Sequence, residues 1–152
     1  MTDPKWRIKK LNSKISFKKA TCIILNERSA NLIRLIKKYL KSNTAENLHN
    51  VRISLRRLRY NMELFYDLYD RKKFLKLYIA IEKLQDTTGN VRDNYILKQN
   101  ILLFGKEEQF SFLESLYVKI EEKENLLIDD LKHELSSFIL SAELKNFMKI
   151  IK

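Results

Sequence analysis

Basic side chains recur at helical spacing in one short segment of the sequence, residues 47–65. The members of this basic row are His49, Arg52, Arg56 and Arg59. They are separated by three, four and three residues, and each residue turns an α-helix by about 100°, so they share one face. The planar guanidinium group of arginine donates two parallel hydrogen bonds to phosphate oxygens. Arginines about 5–6 Å apart repel each other unless an anion lies along them, so the row predicts a site for a repeating polyanion.

Two interpretations of the basic row remain open at the level of sequence. Residues 47–62 contain no acidic side chain, and Glu63 is the first, which favours an external anion. The row is otherwise a solvated helix face, or it forms ion pairs with an acidic helix later in the chain. Arg57 falls off the row and is a weaker candidate. His49 is a candidate site residue because it is the first member of the basic row, whereas His133 is expected to be a surface residue.

The elements that position this row are long helices. In the helix expected over 45–69, apolar residues alternate at intervals of three and four: Leu48, Val51, Leu55, Leu58, Met62, Phe65 and Tyr69. That spacing is typical of a bundle helix with one buried stripe. Each member of the basic row follows a core position by one residue. The row therefore borders the buried stripe, where arginine stems can pack against neighbouring helices.

Further helices complete the predicted architecture, which follows a basic N-terminal arm over residues 1–19. They are expected over 20–41, 72–103 and 106–139, and from Ser141 to the end of the sequence. Asn43 or Thr44 is expected to cap the second helix, and Ser141 the last. Gly89 either breaks the third helix or admits a close helix contact, and we favour a continuous helix. Gly105 is expected to end that helix.

The predicted fold is all-α, an antiparallel bundle of about four long helices plus a short C-terminal helix, in one domain over residues 20–152. Helical spacing also gives the expected core positions of the other three long helices. They are Leu25, Leu32, Ile36 and Tyr39 in the first, Leu77, Ile81, Leu84, Thr88, Val91 and Tyr95 in the third, and Phe110, Leu113, Leu116, Ile120, Leu127, Leu131 and Leu135 in the fourth.

The positive charge of the chain is concentrated in its first two-fifths. The 152 residues carry a formal net charge of +11. Residues 1–60 hold 16 Lys/Arg and 3 Asp/Glu, a net of +13, whereas residues 61–152 hold 14 and 16, a net of −2. This polarisation predicts one basic surface and a polyanionic or acidic partner.

Several other classes of protein lack support in the sequence. No apolar run approaches the roughly 20 residues of a membrane span, and no apolar signal region is visible, so we expect a cytoplasmic protein without membrane contact. The single Cys22 excludes an intrachain disulfide and a cysteine zinc site. No Walker loop, catalytic triad pattern or carboxylate cluster beside the basic residues occurs. We therefore predict a binding protein that is not an enzyme and uses no cofactor or metal.

Two motifs give the sequence a resemblance to a known family. The first, LHNVRISLRRLRYNMELF, contributes His49, Arg52, Arg56, Arg57 and Arg59, and Phe65 closes it. The second, LQDTTGNVRDNYIL, contributes Leu84, Gly89, Arg92, Asp93 and Leu97. Thr88 precedes Gly89 here, whereas family members usually have a leucine directly before this glycine. In this order, about 30 residues apart, the motifs resemble those of the CHAD domain, the conserved histidine α-helical domain.

The resemblance implies an all-helical fold and non-catalytic binding of inorganic polyphosphate by a basic surface. Carried over by position, the leading phosphate contacts are His49, Arg52, Arg56, Arg59 and Arg92. Arg57 belongs to the first motif but lies off the basic row. Lys37, Lys38 and Lys83 are added from charge and expected proximity alone. Asp93 is expected to hold an arginine rather than to touch the anion.

The resemblance covers roughly residues 20–150 and includes each motif once, whereas family members usually contain two similar helical halves. A homodimer would rebuild the full arrangement, with two basic faces lining one groove. Alternatively, a monomer carries half a site and binds more weakly. The competing function is nucleic-acid binding, in which the basic helix follows phosphates and Trp6 or tyrosines stack on bases. A helical adaptor for an acidic protein is a further alternative.

Overall fold

Five α-helices account for nearly all of the chain that the computed structural model describes. The described residues are Ile8, 10–107 and 111–152, and the side chains of 106, 107 and 111–113 lie outside the description. The helices are α1 (Phe17–Lys41), α2 (Ala45–Phe65), α3 (Arg71–Glu107), α4 (Ser111–Leu140) and α5 (Ala142–Ile150). No strand occurs in these ranges, and the helices pack on each other. The prediction of an all-α bundle is confirmed.

Hydroxyl side chains begin three of these helices by accepting hydrogen bonds from backbone N–H groups that lack helical partners. Ser16 accepts from the N–H of Lys19 at 3.3 Å, so α1 starts at Phe17, three residues earlier than predicted. Thr44, one of the two predicted caps of α2, accepts from the N–H of Asn47 at 3.2 Å. Ser141 caps α5 as predicted. Most of the predicted N-terminal arm, residues 1–7 and 9, lies outside the described residues.

The end of α2 differs from the prediction. The helix stops at Phe65 rather than at 69, and a single 3-10 turn over Tyr66–Leu68 follows it. Two side chains after the turn explain the early end. The ring of Tyr69 stacks on Phe74 with centroids 5.4 Å apart, and Asp70 accepts from the N–H of Lys73 at 3.0 Å. The chain must leave α2 before residue 69 because both contacts belong to the start of α3.

Helix α3 runs without a break through Gly89, as predicted. The close helix contact expected at Gly89 is absent from the described structure, however, because a Cβ added there would meet no atom within 4 Å. Gly105 does not end α3, which continues to Glu107, so the predicted start of α4 at residue 106 is also wrong. A glycine costs a helix only about 1 kcal/mol relative to alanine, which is too little to stop one by itself.

The core confirms most of the predicted buried positions. The expected apolar residues of α1 and those of α2 up to Phe65 are all buried. The prediction that Tyr95 is a core residue is wrong, because its side chain is 39% exposed and its neighbour Asn94 is buried instead. The side chain of Asn94 donates to the carbonyl of Ile120 on α4 at 3.2 Å. Phe110 and the side chain of Leu113, both expected in the core of α4, lie outside the described residues.

Helix α2 packs against α1 and α3, and α4 packs against α3 and also contacts α1. Residues 42–44 form the only link between α1 and α2, so these two packed helices run antiparallel. Helix α5 folds back on α3 through Phe147 and Phe74, whose ring centroids are 5.4 Å apart. Among the described residues no helix is long and apolar enough to cross a membrane.

Candidate anion-binding site

A cleft of about 200 Å³ lies between α2 and α3 at the level of the basic row. The residues that line this arginine cleft are His49, Arg52, Ile53 and Arg56 from α2 and Gln85, Thr88 and Arg92 from α3. The three basic residues from α2 and the three residues from α3 each have the spacing i, i+3, i+7, so each set forms one helix face. The cleft therefore brings basic residues from the two sequence motifs to one place.

Arg52 shows most clearly how the positive charges of the cleft affect one another. Its pKa is lowered from the ordinary value, first by partial burial and then by the charge of Arg92, with a smaller effect from Arg56. Asp93 acts in the opposite direction. In the part of the chain that the structure describes, none of these three arginines lies within 4 Å of an acidic group. The cleft thus holds like charges without neutralising acids, and a bound anion would relieve their repulsion.

Two neutral polar residues line the α3 side of the cleft. Thr88 is fully buried and donates to the backbone carbonyl of Gln85 at 2.9 Å. The side-chain oxygen of Gln85 is buried and has no hydrogen-bond partner among the described atoms. Because an amide group presents either its oxygen or its two N–H donors after a half-turn, Gln85 can offer donors to an anion in the cleft.

The structure divides the predicted basic row. His49, Arg52 and Arg56 line the arginine cleft, but Arg59 does not. Its Nε lies 3.3 Å from Oε1 of Glu63, one turn further along α2, and this Nε forms no aligned hydrogen bond. The same carboxylate oxygen accepts from the hydroxyl of Tyr78 at 2.8 Å. Arg59 therefore has a nearby acid, which the cleft arginines lack within the described part of the chain.

Arg57 lies on the other flank of α2, as its position off the row predicts. It lines a separate groove between α1 and α2. The polar residues of this α1–α2 groove are Glu27, Arg28, Asn31, Arg34, Asn50, Ser54 and Arg57. Lys37 and Lys38 lie further along α1 in a third patch with Arg34 and Lys41. The structure therefore does not place these two lysines in the arginine cleft.

Lys83 also lies away from the cleft. Its ammonium group contacts Glu134 of α4 at 3.0 Å. Lys98, which also lies on α3, contacts Glu121 of α4 at 3.1 Å and Glu124 at 2.6 Å. Among the described residues, the acidic helix α4 thus pairs with lysines of α3 and not with the arginines of α2, which argues against the structural ion pairs considered for the basic row.

A second, more apolar cleft of about 300 Å³ adjoins the first and shares His49, Arg52 and Arg92 with it. The remaining lining includes Tyr39, whose burial raises the pKa of its hydroxyl to about 12. Glu124 also lines this second cleft but is held by Lys98. The three shared residues therefore lie between a cleft rich in arginine and one rich in apolar side chains.

Sequence reasoning missed Gln85 and Thr88 as cleft residues, although both precede Arg92 at helical spacing. The signal was present, because positions 85, 88 and 92 repeat the intervals of the basic row. Asp93 is exposed and forms no ion pair within the described ranges, so its expected effect on an arginine is limited to raising the pKa of Arg52. The described residues also contain no group of acids, histidines or cysteines arranged to hold a metal.

Comparison with known proteins gives one family match. The family model described as the CHAD domain matches residues 3–101. This range includes all of α1 and α2, most of α3 and both sequence motifs. No curated protein and no solved structure matches the chain significantly.

Proposed function

Because this chain belongs to the CHAD domain family, we propose that it binds inorganic polyphosphate in the arginine cleft without catalysing a reaction. The family is known for binding polyphosphate and triphosphates and is generally not catalytic. The observation that carries the proposal is the convergence of Arg52, Arg56 and Arg92 with no acid within 4 Å among the described residues. His49 lines the same cleft and can donate a ring N–H to the anion.

The chemistry of the cleft suits a chain of phosphates. Each phosphate offers several oxygens, and the fork of an arginine can bind two of them at once. Arg52 and Arg56 are one helical turn apart, or about 6 Å along α2, so they can contact different phosphates of one anion. Arg92 approaches the same space from α3. Anion binding would remove the repulsion among the three arginines, which adds to the direct contacts.

The members of the predicted site differ in the role that we propose. His49, Arg52, Arg56 and Arg92 make the first contacts. Arg59 and Lys83 each have an acid nearby, Glu63 and Glu134 respectively. We therefore expect Arg59 and Lys83 to contribute weakly.

The proposal is tested by removing the three arginines and measuring the affinity for tripolyphosphate, long-chain polyphosphate and duplex DNA. We expect Arg52→Gln, Arg56→Gln and Arg92→Gln together to lower polyphosphate affinity at least about 100-fold, since a hydrogen bond to a charged group contributes about 1.5–3 kcal/mol. Circular dichroism should show an unchanged helix content. The control is Arg71→Gln, which removes an arginine 69% exposed in its side chain and paired with Asp67.

Three results would contradict the proposal. The first is polyphosphate binding by the triple variant with wild-type affinity. The second is equal or tighter binding of duplex DNA at both low and moderate salt, which would favour a nucleic-acid-binding protein. The third is release of phosphate from polyphosphate with added magnesium or manganese, which would make the protein an enzyme. Native mass in the presence of ligand gives the stoichiometry and tests the predicted homodimer.

A further inference from the structure

The three basic surfaces of α1, α2 and α3 are continuous with each other. Ile53 lines both the arginine cleft and the α1–α2 groove. Ala30 and Arg34 line both that groove and the patch containing Lys37, Lys38 and Lys41. An anion leaving the arginine cleft therefore crosses a single residue, Ile53, before it meets the next cations.

The helical geometry of α2 explains this continuity. Arg57 follows Arg56 by one residue and is rotated by about 100° around the helix. Arg56 therefore faces α3, whereas Arg57 faces α1. Ile53 lies between these two directions, at the ridge of α2 that separates the cleft from the groove. The doublet Arg56–Arg57 thus places one cation on each side of the ridge.

The α1–α2 groove is built to hold donors in place. The guanidinium group of Arg34 donates to the side-chain oxygen of Asn31 at 2.8 Å. Asn31 in turn donates to the hydroxyl of Ser54 on α2 at 3.3 Å. The Nε of Arg28 is buried and has no hydrogen-bond partner within the described structure. The groove therefore combines an oriented arginine with an unused donor, and such groups are costly to bury unless a partner binds them.

Positive charge dominates the combined surface. Its cations are Arg52, Arg56 and Arg92 in the cleft, Arg28, Arg34 and Arg57 in the groove, and Lys37, Lys38 and Lys41 in the patch. Glu27 is the one acid among the residues that line these three surfaces, and it is exposed. In the described part of the chain, no acid lies within 4 Å of any of these nine cations.

We propose that the α1–α2 groove is a second phosphate-binding site that extends the arginine cleft, so that the protein discriminates polyphosphates by chain length. The inference rests on the proposed function of the cleft. A short polyphosphate occupies the cleft alone, whereas a longer one crosses Ile53 and reaches Arg57, Arg28 and Arg34. The far end of the longest chains lies along Lys37, Lys38 and Lys41.

The length of this path sets the ligand for the test. A ligand that passes over α2 from the α3 side to the α1 side covers about two interhelical spacings of 8–10 Å, and Arg34 to Lys41 spans about 10 Å along α1. The whole path is therefore roughly 30 Å long. Tripolyphosphate should occupy the cleft only, whereas a size-fractionated polyphosphate longer than this path should contact all three surfaces.

The test compares these two ligands on one groove variant, Arg34→Gln with Arg57→Gln. Both side chains are exposed, so the bundle should fold. We expect affinity for the long polyphosphate to fall by about tenfold or more, while affinity for tripolyphosphate stays within about twofold. The salt dependence of long-chain binding should also weaken, with the slope of log K against log salt reduced by about 1.4 for two lost contacts. An excess of polyphosphate over protein ensures that each polyphosphate molecule binds at most one protein.

The matched control is Arg71→Gln with Lys76→Gln, which removes two exposed charges from the first turns of α3. We expect it to leave both affinities and the salt slope unchanged. An unchanged long-chain affinity in the groove variant overturns the inference, and so does an equal loss for both ligands. Failure of the proposed function would give a different result. In that case the wild type and the variants of Arg52, Arg56 and Arg92 would bind tripolyphosphate with the same affinity.

Discussion

Replacing Arg52 by methionine should make the unliganded protein slightly more stable and its binding of polyphosphate much weaker. Arg52 borders the core, and its stem packs like an apolar side chain, which methionine preserves. The substitution removes a charge that burial, Arg92 and Arg56 all disfavour. The two effects have opposite signs because the arginine is held in place for a ligand rather than for the fold.

The size of the stability change follows from the like-charge contacts. A like-charge pair one helical turn apart costs a helix about 0.2–0.5 kcal/mol, and Arg52 has such a neighbour in Arg56. The charge of Arg92 lowers the pKa of Arg52 more strongly than that of Arg56 does, while Asp93 offsets part of the repulsion. Solvent screens these charges because Arg52 is only partly buried. We therefore expect the free energy of unfolding to rise by about 0.5 kcal/mol.

The expected loss of binding is larger. A hydrogen bond to a charged group contributes about 1.5–3 kcal/mol, which corresponds to a loss in affinity of about 10-fold to 150-fold. Urea denaturation at low salt measures the unfolding free energy without ligand. Titration with tripolyphosphate, followed by calorimetry, measures the affinity. In 1 M salt the stability gain should disappear, since the screening length falls to about 3 Å.

Arg71→Met is the matched control. Arg71 forms an exposed ion pair with Asp67, one turn away, at 2.7 Å, so its loss should lower the unfolding free energy by about 0.3–0.5 kcal/mol without changing the affinity. The reasoning is refuted if Arg52→Met destabilises the unliganded protein by more than about 1 kcal/mol, because Arg52 would then be a structural residue. Unchanged affinity for tripolyphosphate would refute it equally.

Two further predictions concern α3. Gly89→Ala should raise the free energy of unfolding, measured by urea denaturation, by about 0.5–1 kcal/mol. Alanine favours the helix, and its Cβ would meet no atom within 4 Å. A loss of stability would show that the helix is strained at this position. Lys98→Met should lower the free energy of unfolding by about 1 kcal/mol at neutral pH by leaving Glu124 unpaired in a partly solvated position, and Glu124→Leu added to it should restore part of the loss. The hydrogen bond to Glu124 raises the pKa of Lys98. The stabilisation by this pair is therefore present below the ordinary lysine pKa of about 10.4 and is lost as pH rises through the raised value. A Lys98→Met variant as stable as wild type would show that the pair of Lys98 and Glu124 does not stabilise the fold.

The sequence predicted the helices well where apolar spacing was regular and poorly at their ends. The buried stripe of α2 appears as expected up to Phe65 because intervals of three and four fix which face meets the core. Its end was wrong because Tyr69, although correctly spaced, packs on Phe74 at the start of the next helix. Spacing within one segment cannot show that a side chain is needed by a neighbouring element.

The candidate site divides in the same way. Spacing and residue type alone placed His49, Arg52 and Arg56 on one helix face beside the core, and the motifs added Arg92. Only the packing of α2 against α3 shows that these residues share a cleft with Gln85 and Thr88. The pair of Arg59 and Glu63 lies one turn apart on α2, so helical spacing alone could show it. Only tertiary contacts show that Tyr78 shares this carboxylate and that Lys83 is held by Glu134.

The sequence by itself determined the helical bundle, the polarity of charge and the face on which the arginines lie, because these depend on periodicity and composition along one chain segment. The tertiary structure decided which arginines lack a neighbouring acid among the described residues and which surfaces join across Ile53. These features depend on the rotation of each helix about its axis and on its neighbours. On α3, Lys83 contacts Glu134, whereas Arg92 has no acid within 4 Å among the described residues, because α4 packs against one flank of α3 and α2 against the other.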